Sequence, residues 1–169
     1  MASIENFIRD NLPLIPVPFI PEIRLHKAVP ESGLNRLAEA DEDFGSPYWA
    51  HYWGGGLALA RYLIDHPALV AGRSLLDLGT GSGIVAIAAG LAGARPVQAA
   101  DVDPYALAAA RVNASANGVT IETIGGDLTI APAMPIDVLA IGDLFSTSSS
   151  KGKCARIGSP IRTCVPAAA

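Results

Sequence analysis

The run Asp77-Leu78-Gly79-Thr80-Gly81-Ser82-Gly83 puts a carboxylate two residues ahead of the first of three alternating glycines. Glycines let the backbone turn sharply and let a ligand approach without meeting a Cβ. A helix that starts directly after such a turn offers free N–H groups at its N-terminus. A tight turn with no ligand is the plain alternative, and three alternating glycines argue against it. Dinucleotide loops read G-x-G-x-x-G. Here the third glycine comes one position early and Ile84 stands at the dinucleotide position. Asp77 would repel a pyrophosphate. It suits a ligand that carries an amine and a sulfonium and lacks phosphates, which describes S-adenosylmethionine. An NAD-binding module is the rival reading of the same loop.

Two more acids stand at useful distances. Asp101 follows Gly79 by 22 residues, where a carboxylate accepts hydrogen bonds from ribose hydroxyls. Asp103, two residues on, is better placed as a helix cap, with Pro104 at the first helical position. Gly126-Asp127 could meet an adenine amino group, although a lone Asp after glycine is more often a turn residue. Trp49 and Trp53 have the i, i+4 spacing of core packing on one helix face, and either could also wall a pocket. His26, His51 and His66 lack ligand spacing, and no metal site is expected.

These residues need elements to hold them. Ser74–Leu78 is a short apolar run ending at the glycine loop, and Ile84–Leu91 is an apolar helix closed by Gly93. Pro96–Ala100, Val119–Ile124 and Ile136–Ile141 read as further buried strands, and Asp103 opens a helix running to about Asn117. Strands alternating with helices of this length mean βαβ units and a parallel sheet. Upstream, Ile4–Asn11 and Leu57–Ile64 read as helices. Glu31–Asp43 reads as a helix with a loop, and its run Glu39, Asp41, Glu42, Asp43 as a solvated surface. Leu12–Pro21, with Pro13, Pro16, Pro18 and Pro21, is expected to be extended.

The string D-L-G-T-G-S-G, then A-D-V-D-P with A-R-x-N-A-x-x-N-G, then G-D, resembles a class I, Rossmann-like methyltransferase. Pro21-Glu22-Ile23-Arg24-Leu25-His26 and the run from Pro47 to Leu63 (PYWAHYWGGGLALARYL) narrow the likeness. They resemble the family that methylates lysines of the electron-transfer-flavoprotein β-subunit, whose bacterial members are called nicotinamide N-methyltransferase-like or ribosomal-protein-methyltransferase-like. The resemblance implies that Asp77, Gly79, Thr80, Gly81, Gly83, Asp101 and Asp127 bind S-adenosylmethionine. It places Trp53 and Gly54 near the methionine end of that cofactor and implies Asp143 as the catalytic group facing the acceptor amine. Asp143-Leu144-Phe145 matches the start of the family's Asp-x-Phe-Tyr motif, but Ser146 stands where the tyrosine belongs.

The expected fold is α/β. A Rossmann-like methyltransferase sheet carries only its first four strands, in the order 3-2-1-4, where the family has 3-2-1-4-5-7-6. Three parts follow: an N-terminal helical and extended segment over 1–70 packing on the core, a cofactor-binding half-domain over 71–145, and an irregular tail over 146–169. The fourth strand is expected to leave an apolar edge open, which invites dimerisation. The expected function is N-methylation of a protein lysine, with the flavoprotein β-subunit as partner and reduced activity in this form. A small-molecule amine acceptor and an inactive cofactor-binding fragment are the alternatives.

Charge and composition bound these readings. Half the residues are apolar and the net charge is −4, which argues against disorder and against a nucleic-acid binder with a basic face. No apolar run is long enough for a membrane span, and the N-terminus lacks a signal-peptide pattern. Cys154 and Cys164 are too few for a disulfide framework, so a cytoplasmic protein is expected. Residues 146–169 carry four basic residues and no acid, whereas residues 1–145 carry 8 basic and 16 acidic. This switch coincides with the end of the resemblance between Phe145 and Ser146, and an out-of-frame translation is expected beyond it.

Overall fold

The computed structural model describes residues 3–42, 44–130 and 134–143, together with the backbone of 163–166. The chain begins with α1 (Ile4–Asn11), whose N-terminus Ser3 caps by accepting from the Asn6 N–H. The proline-rich stretch forms an antiparallel hairpin of β1 (Leu14–Val17) and β2 (Ile20–His26). Pro16 sits in β1 beside a register shift, and an outer strand tolerates a residue without an N–H. A short helix, α2 (Asn35–Ala40), and α3 (Gly54–Asp65) lead into the sheet.

The sheet is parallel throughout. It contains β3 (Leu75–Leu78), β4 (Val97–Asp101), β5 (Glu122–Gly125), β6 (Val138–Ile141) and β7 (Thr163–Pro166), in the order β5-β4-β3-β6-β7. The helices α4 (Ile84–Leu91) and α5 (Pro104–Ala116) make the crossovers β3 to β4 and β4 to β5. All four residues of the central strand β3 are buried. Six of the eight residues of α4 are buried too, because α4 lies between the sheet and α3 and has little polar face to offer. One core joins β2, α3, α4 and one sheet face through Ile23, Leu25, Leu63, Leu75, Ile87 and Val138. A second joins α1 to α5 through Ile8, Leu12, Trp49 and Tyr105. Leu76, Leu78 and Leu139 form a third on the opposite sheet face.

The α/β parallel architecture stands as expected, with two corrections at its ends. The four expected strands stand in the expected order 3-2-1-4 as β5-β4-β3-β6, and Thr163–Pro166 adds a fifth by pairing with β6 in parallel register. An open row of N–H and C=O groups on β6 is costly, and an extended Thr-Cys-Val segment can satisfy it. Pro166 is tolerated at the end of an edge strand. The β6 edge expected to be free for dimerisation is therefore occupied, and the tail is not irregular at 163–166. Residues 144–162, which include Leu144 and Phe145, lie outside the described residues. The second correction is small. The strand expected from Val119 begins at Glu122, because the Val119 N–H is spent on the Ala114 carbonyl in closing α5.

Candidate functional site

The site sits at the C-terminal ends of β3, β4 and β6, where parallel α/β sheets bind ligands. The glycine loop after β3 has Gly79, Gly81 and Gly83 at φ of 73°, 51° and 84°. Gly79 and Thr80 both donate to the Ala100 carbonyl, at 2.9 and 3.0 Å, which pins the loop to the end of β4. Gly83 answers a second constraint. A Cβ there would come within 2.9 Å of the Ala110 Cα, so the residue lets α4 and α5 pack closely.

Asp77 is buried in β3, and its strand neighbours are Ala99 and Ala140, which leave room for it. Its Oδ2 accepts from the Thr80 hydroxyl at 2.7 Å and from the Ala86 N–H at 3.1 Å. Both bonds land on one oxygen, which leaves Oδ1 for a ligand in the cavity that Asp77 lines. Burial pushes the Asp77 carboxyl up to about 6. The two hydrogen bonds oppose the shift and the charge of Asp101 adds to it.

Asp101, at the end of β4, holds the loop. Its Oδ2 accepts from the Gly81 N–H at 2.9 Å and its Oδ1 from the Asp103 N–H at 3.1 Å. Asp103 caps α5 through the Tyr105 N–H at 2.8 Å, as its position before Pro104 suggested. Beside it, the Tyr105 hydroxyl donates to Asp41 at 2.7 Å. Burial and that acceptor push the hydroxyl up to about 12. Asp41 thus belongs to a packed contact and not to a purely solvated acidic run.

Asp143 closes the site from β6. Its carboxylate accepts from the Gly55 N–H at 3.0 Å and the Gly56 N–H at 2.7 Å, at the N-terminus of α3. That position favours an anion. A Cβ on Gly55 would lie 2.8 Å from Asp143 Oδ1, so the glycine makes the approach possible.

Among the described residues, a cavity of about 680 Å³ gathers these groups. Of the residues expected at the site, Asp77, Gly79, Thr80, Gly81, Asp101, Trp53 and Asp143 line it. Gly83, Gly54 and Asp127 do not. Gly83 is a packing residue and Gly54 opens α3. The Asp127 carboxylate accepts from the N–H and hydroxyl of Thr129, at 2.9 and 2.5 Å, as a turn residue does. Sequence reasoning missed Tyr48, His51, Gly56, Ser82, Ile84, Val85 and Gly142 in the lining. A signal existed for the first two, since Tyr48 to Trp53 is unusually aromatic for a connection. The two tryptophans do not share a helix face. Trp49 is buried in a 3₁₀ turn and stacks on Tyr105 with centroids 6.1 Å apart, whereas Trp53 precedes α3 and is 40% exposed. Among the described residues, no cluster of His, Cys, Asp and Glu is arranged to hold a metal.

Residues 61–139 match the family model of ribosomal protein L11 methyltransferase (PrmA). The chain is 38% identical over 141 residues to the electron transfer flavoprotein beta subunit lysine methyltransferase of Xenopus laevis, covering 83% of this chain and 57% of that one. The Danio rerio protein of the same name is 39% identical over 145 residues, 85% of this chain and 56% of the relative. The Homo sapiens protein is 54% identical over 100 residues, 59% and 38%. Over these residues the chain is similar to methyltransferases. It spans little more than half the length of the curated relatives it matches.

The cofactor of class I methyltransferases is S-adenosylmethionine, and the residues present fit it. The cavity lining holds three carboxylates and neither lysine nor arginine among the described residues. That set suits an ammonium and a sulfonium and opposes the phosphates of NAD. The free Oδ1 of Asp77 and the loop pinned by Asp101 supply an acceptor and a cradle.

Proposed function

We propose that this methyltransferase transfers a methyl group to a lysine amine of a protein, with the electron-transfer-flavoprotein β-subunit as the acceptor protein. The observation that carries the reading is Asp143, a carboxylate anchored by Gly55 and Gly56 at the wall of the cofactor cavity. The names of the relatives at 38% and 39% identity support the acceptor.

S-adenosylmethionine supplies a methyl group made electrophilic by its sulfonium. Asp77 would hold the cofactor's amine, the loop from Gly79 to Gly81 its backbone-facing side, and Asp101 its ribose hydroxyls. Asp127, engaged with Thr129, is assigned no contact. A lysine side chain has a reference pKa of about 10.4 and must lose a proton before it attacks. A carboxylate alone would raise that pKa, so Asp143 orients the amine and does not deprotonate it. Desolvation of the amine on entering the cavity lowers the pKa instead. Two fixed oxygens on a helix N-terminus hold the amine's direction, which is what an in-line displacement requires.

The cytoplasm is the compartment proposed, supported by the low thiol count, and cell fractionation checks it. The test of function is incorporation of radiolabelled methyl into recombinant flavoprotein β-subunit, with acid-stable label on lysine expected. Label that appears on small amines but never on the protein would reject the proposed acceptor.

A further inference from the structure

The mouth of the cavity is walled by Tyr48 and Trp53. Their rings meet edge to face with centroids 5.6 Å apart, and the Trp53 Nε1–H donates to the Tyr48 carbonyl at 3.1 Å, which fixes the indole. Both are exposed, Tyr48 at 64% and Trp53 at 40%. Large aromatic side chains held in place and left open to water mark a contact surface. Asp143 lies on the same wall, and Asp77 and Asp101 line the floor with no lysine or arginine to offset them.

An anionic cavity behind two ordered π-faces selects an organic cation. An ammonium over an aromatic ring is attracted by the ring quadrupole, and its alkyl stem packs on the remaining surface. A phosphate or carboxylate ligand would meet only like charge, and a neutral apolar ligand would gain nothing from the three aspartates. We infer that Tyr48 and Trp53 form an alkylammonium subsite for the acceptor, binding the chain-terminal cation outside the cofactor. The inference rests on the proposed methyl transfer to an amine and names the groups that recognise it. The same pair would hold the methylated product, because a quaternary ammonium still satisfies a π-face after it has lost every N–H donor. The subsite thus selects charge and shape and tolerates rising methylation.

The test uses the whole chain and needs no turnover. Trp49 and Trp53 are the two tryptophans of the sequence, and Trp49 is buried, so fluorescence changes on ligand binding report on Trp53. The protein is titrated with choline and with its neutral isostere 3,3-dimethylbutan-1-ol, with and without saturating S-adenosylhomocysteine. Choline is expected to quench the fluorescence at concentrations about tenfold below those of the alcohol, and S-adenosylhomocysteine is expected not to displace it. Tyr48→Ala, at a site exposed enough to leave folding unaffected, is expected to weaken choline about tenfold and leave S-adenosylhomocysteine affinity unchanged. Tyr48→Phe keeps the ring and is expected to restore choline binding. Equal affinity for the alcohol, or an unaltered Tyr48→Ala protein, overturns the inference. Displacement of choline by S-adenosylhomocysteine does so too, since the pair would then serve the cofactor. Failure of S-adenosylhomocysteine itself to bind, read by calorimetric titration of the parent without choline, defeats the cofactor reading instead.

Discussion

Asp77 shows how one side chain serves both the fold and the ligand. Its Oδ2 takes both internal hydrogen bonds, and its carboxyl is pushed up to about 6 by burial. The folded-state value lies above the unfolded one, so the group's stabilising contribution is full below about 4. It is lost as pH rises through 6, by on the order of 3 kcal/mol. Asp77→Asn can keep both bonds with its carboxamide oxygen. The apo variant is expected to be at least as stable as the parent at pH 7. Ligand binding runs the other way, because a cationic amine prefers the ionised carboxylate. Affinity of the parent for S-adenosylhomocysteine is expected to fall about tenfold from pH 7 to pH 5, by linkage to that protonation. The Asn variant should bind more weakly at pH 7 and show a flat profile. Calorimetric titration across that range checks both, and a variant that keeps the parental slope would assign the titration to another group.

At the level of elements, α5 acts as a surrogate strand for the N-terminal hairpin. Asn113 Oδ1 accepts from the His26 N–H at 2.8 Å, and Asn117 Oδ1 accepts from the Arg24 N–H at 2.9 Å. Four helical residues rise about 6 Å and two strand residues about 6.7 Å, so the two spacings match. Asn113 is fully buried, and its Nδ2 also donates to the Ser82 carbonyl at 2.8 Å, which ties the hairpin to the glycine loop. Asn113→Ala leaves two groups unpaired and is expected to cost about 2–4 kcal/mol in denaturant unfolding. Asn117 is only half-buried, so Asn117→Ala should cost roughly 1 kcal/mol. Only the first substitution should weaken S-adenosylhomocysteine at a temperature where both variants are folded. Equal stability losses, or equal affinities, would show that the loop does not depend on this brace.

At the scale of the described residues, a parallel sheet carries a cavity whose floor is built at three strand ends. Ligand binding there should report on the parallel sheet and its neighbours, because β3, β4, α3, α4 and the residues directly after β6 all contribute. Saturation at a hundredfold over Kd stabilises by about 2.7 kcal/mol. For a chain of this length that is a rise in Tm of roughly 5–10 °C. S-adenosylhomocysteine is expected to produce it and NAD is not. A shift with NAD alone would overturn the electrostatic argument from the three aspartates. Among the described residues no helix is long and apolar enough to cross a membrane.

The cofactor loop, the strand-helix alternation and the cap of α5 were legible in the sequence because each is local. Glycine spacing, Pro104 after Asp103 and an apolar period act over a few residues, and tertiary contacts did not override them. The contacts of Asp127 and Gly83 were not legible in the same way. Spacing gives a residue's place along the chain, but whether its side chain reaches a ligand, Thr129 or Ala110 depends on what packs there. Asp143 and Gly55 are 88 residues apart, and only the pairing of β6 with β3 brings that carboxylate onto the N-terminus of α3. The partition of Trp49 into the core and Trp53 onto the cavity mouth was likewise decided by the 3₁₀ turn at Tyr48–Ala50. The fifth strand had no periodic signal to announce it. Its backbone pairs because β6 presents an edge, and an edge exists only once the sheet has formed.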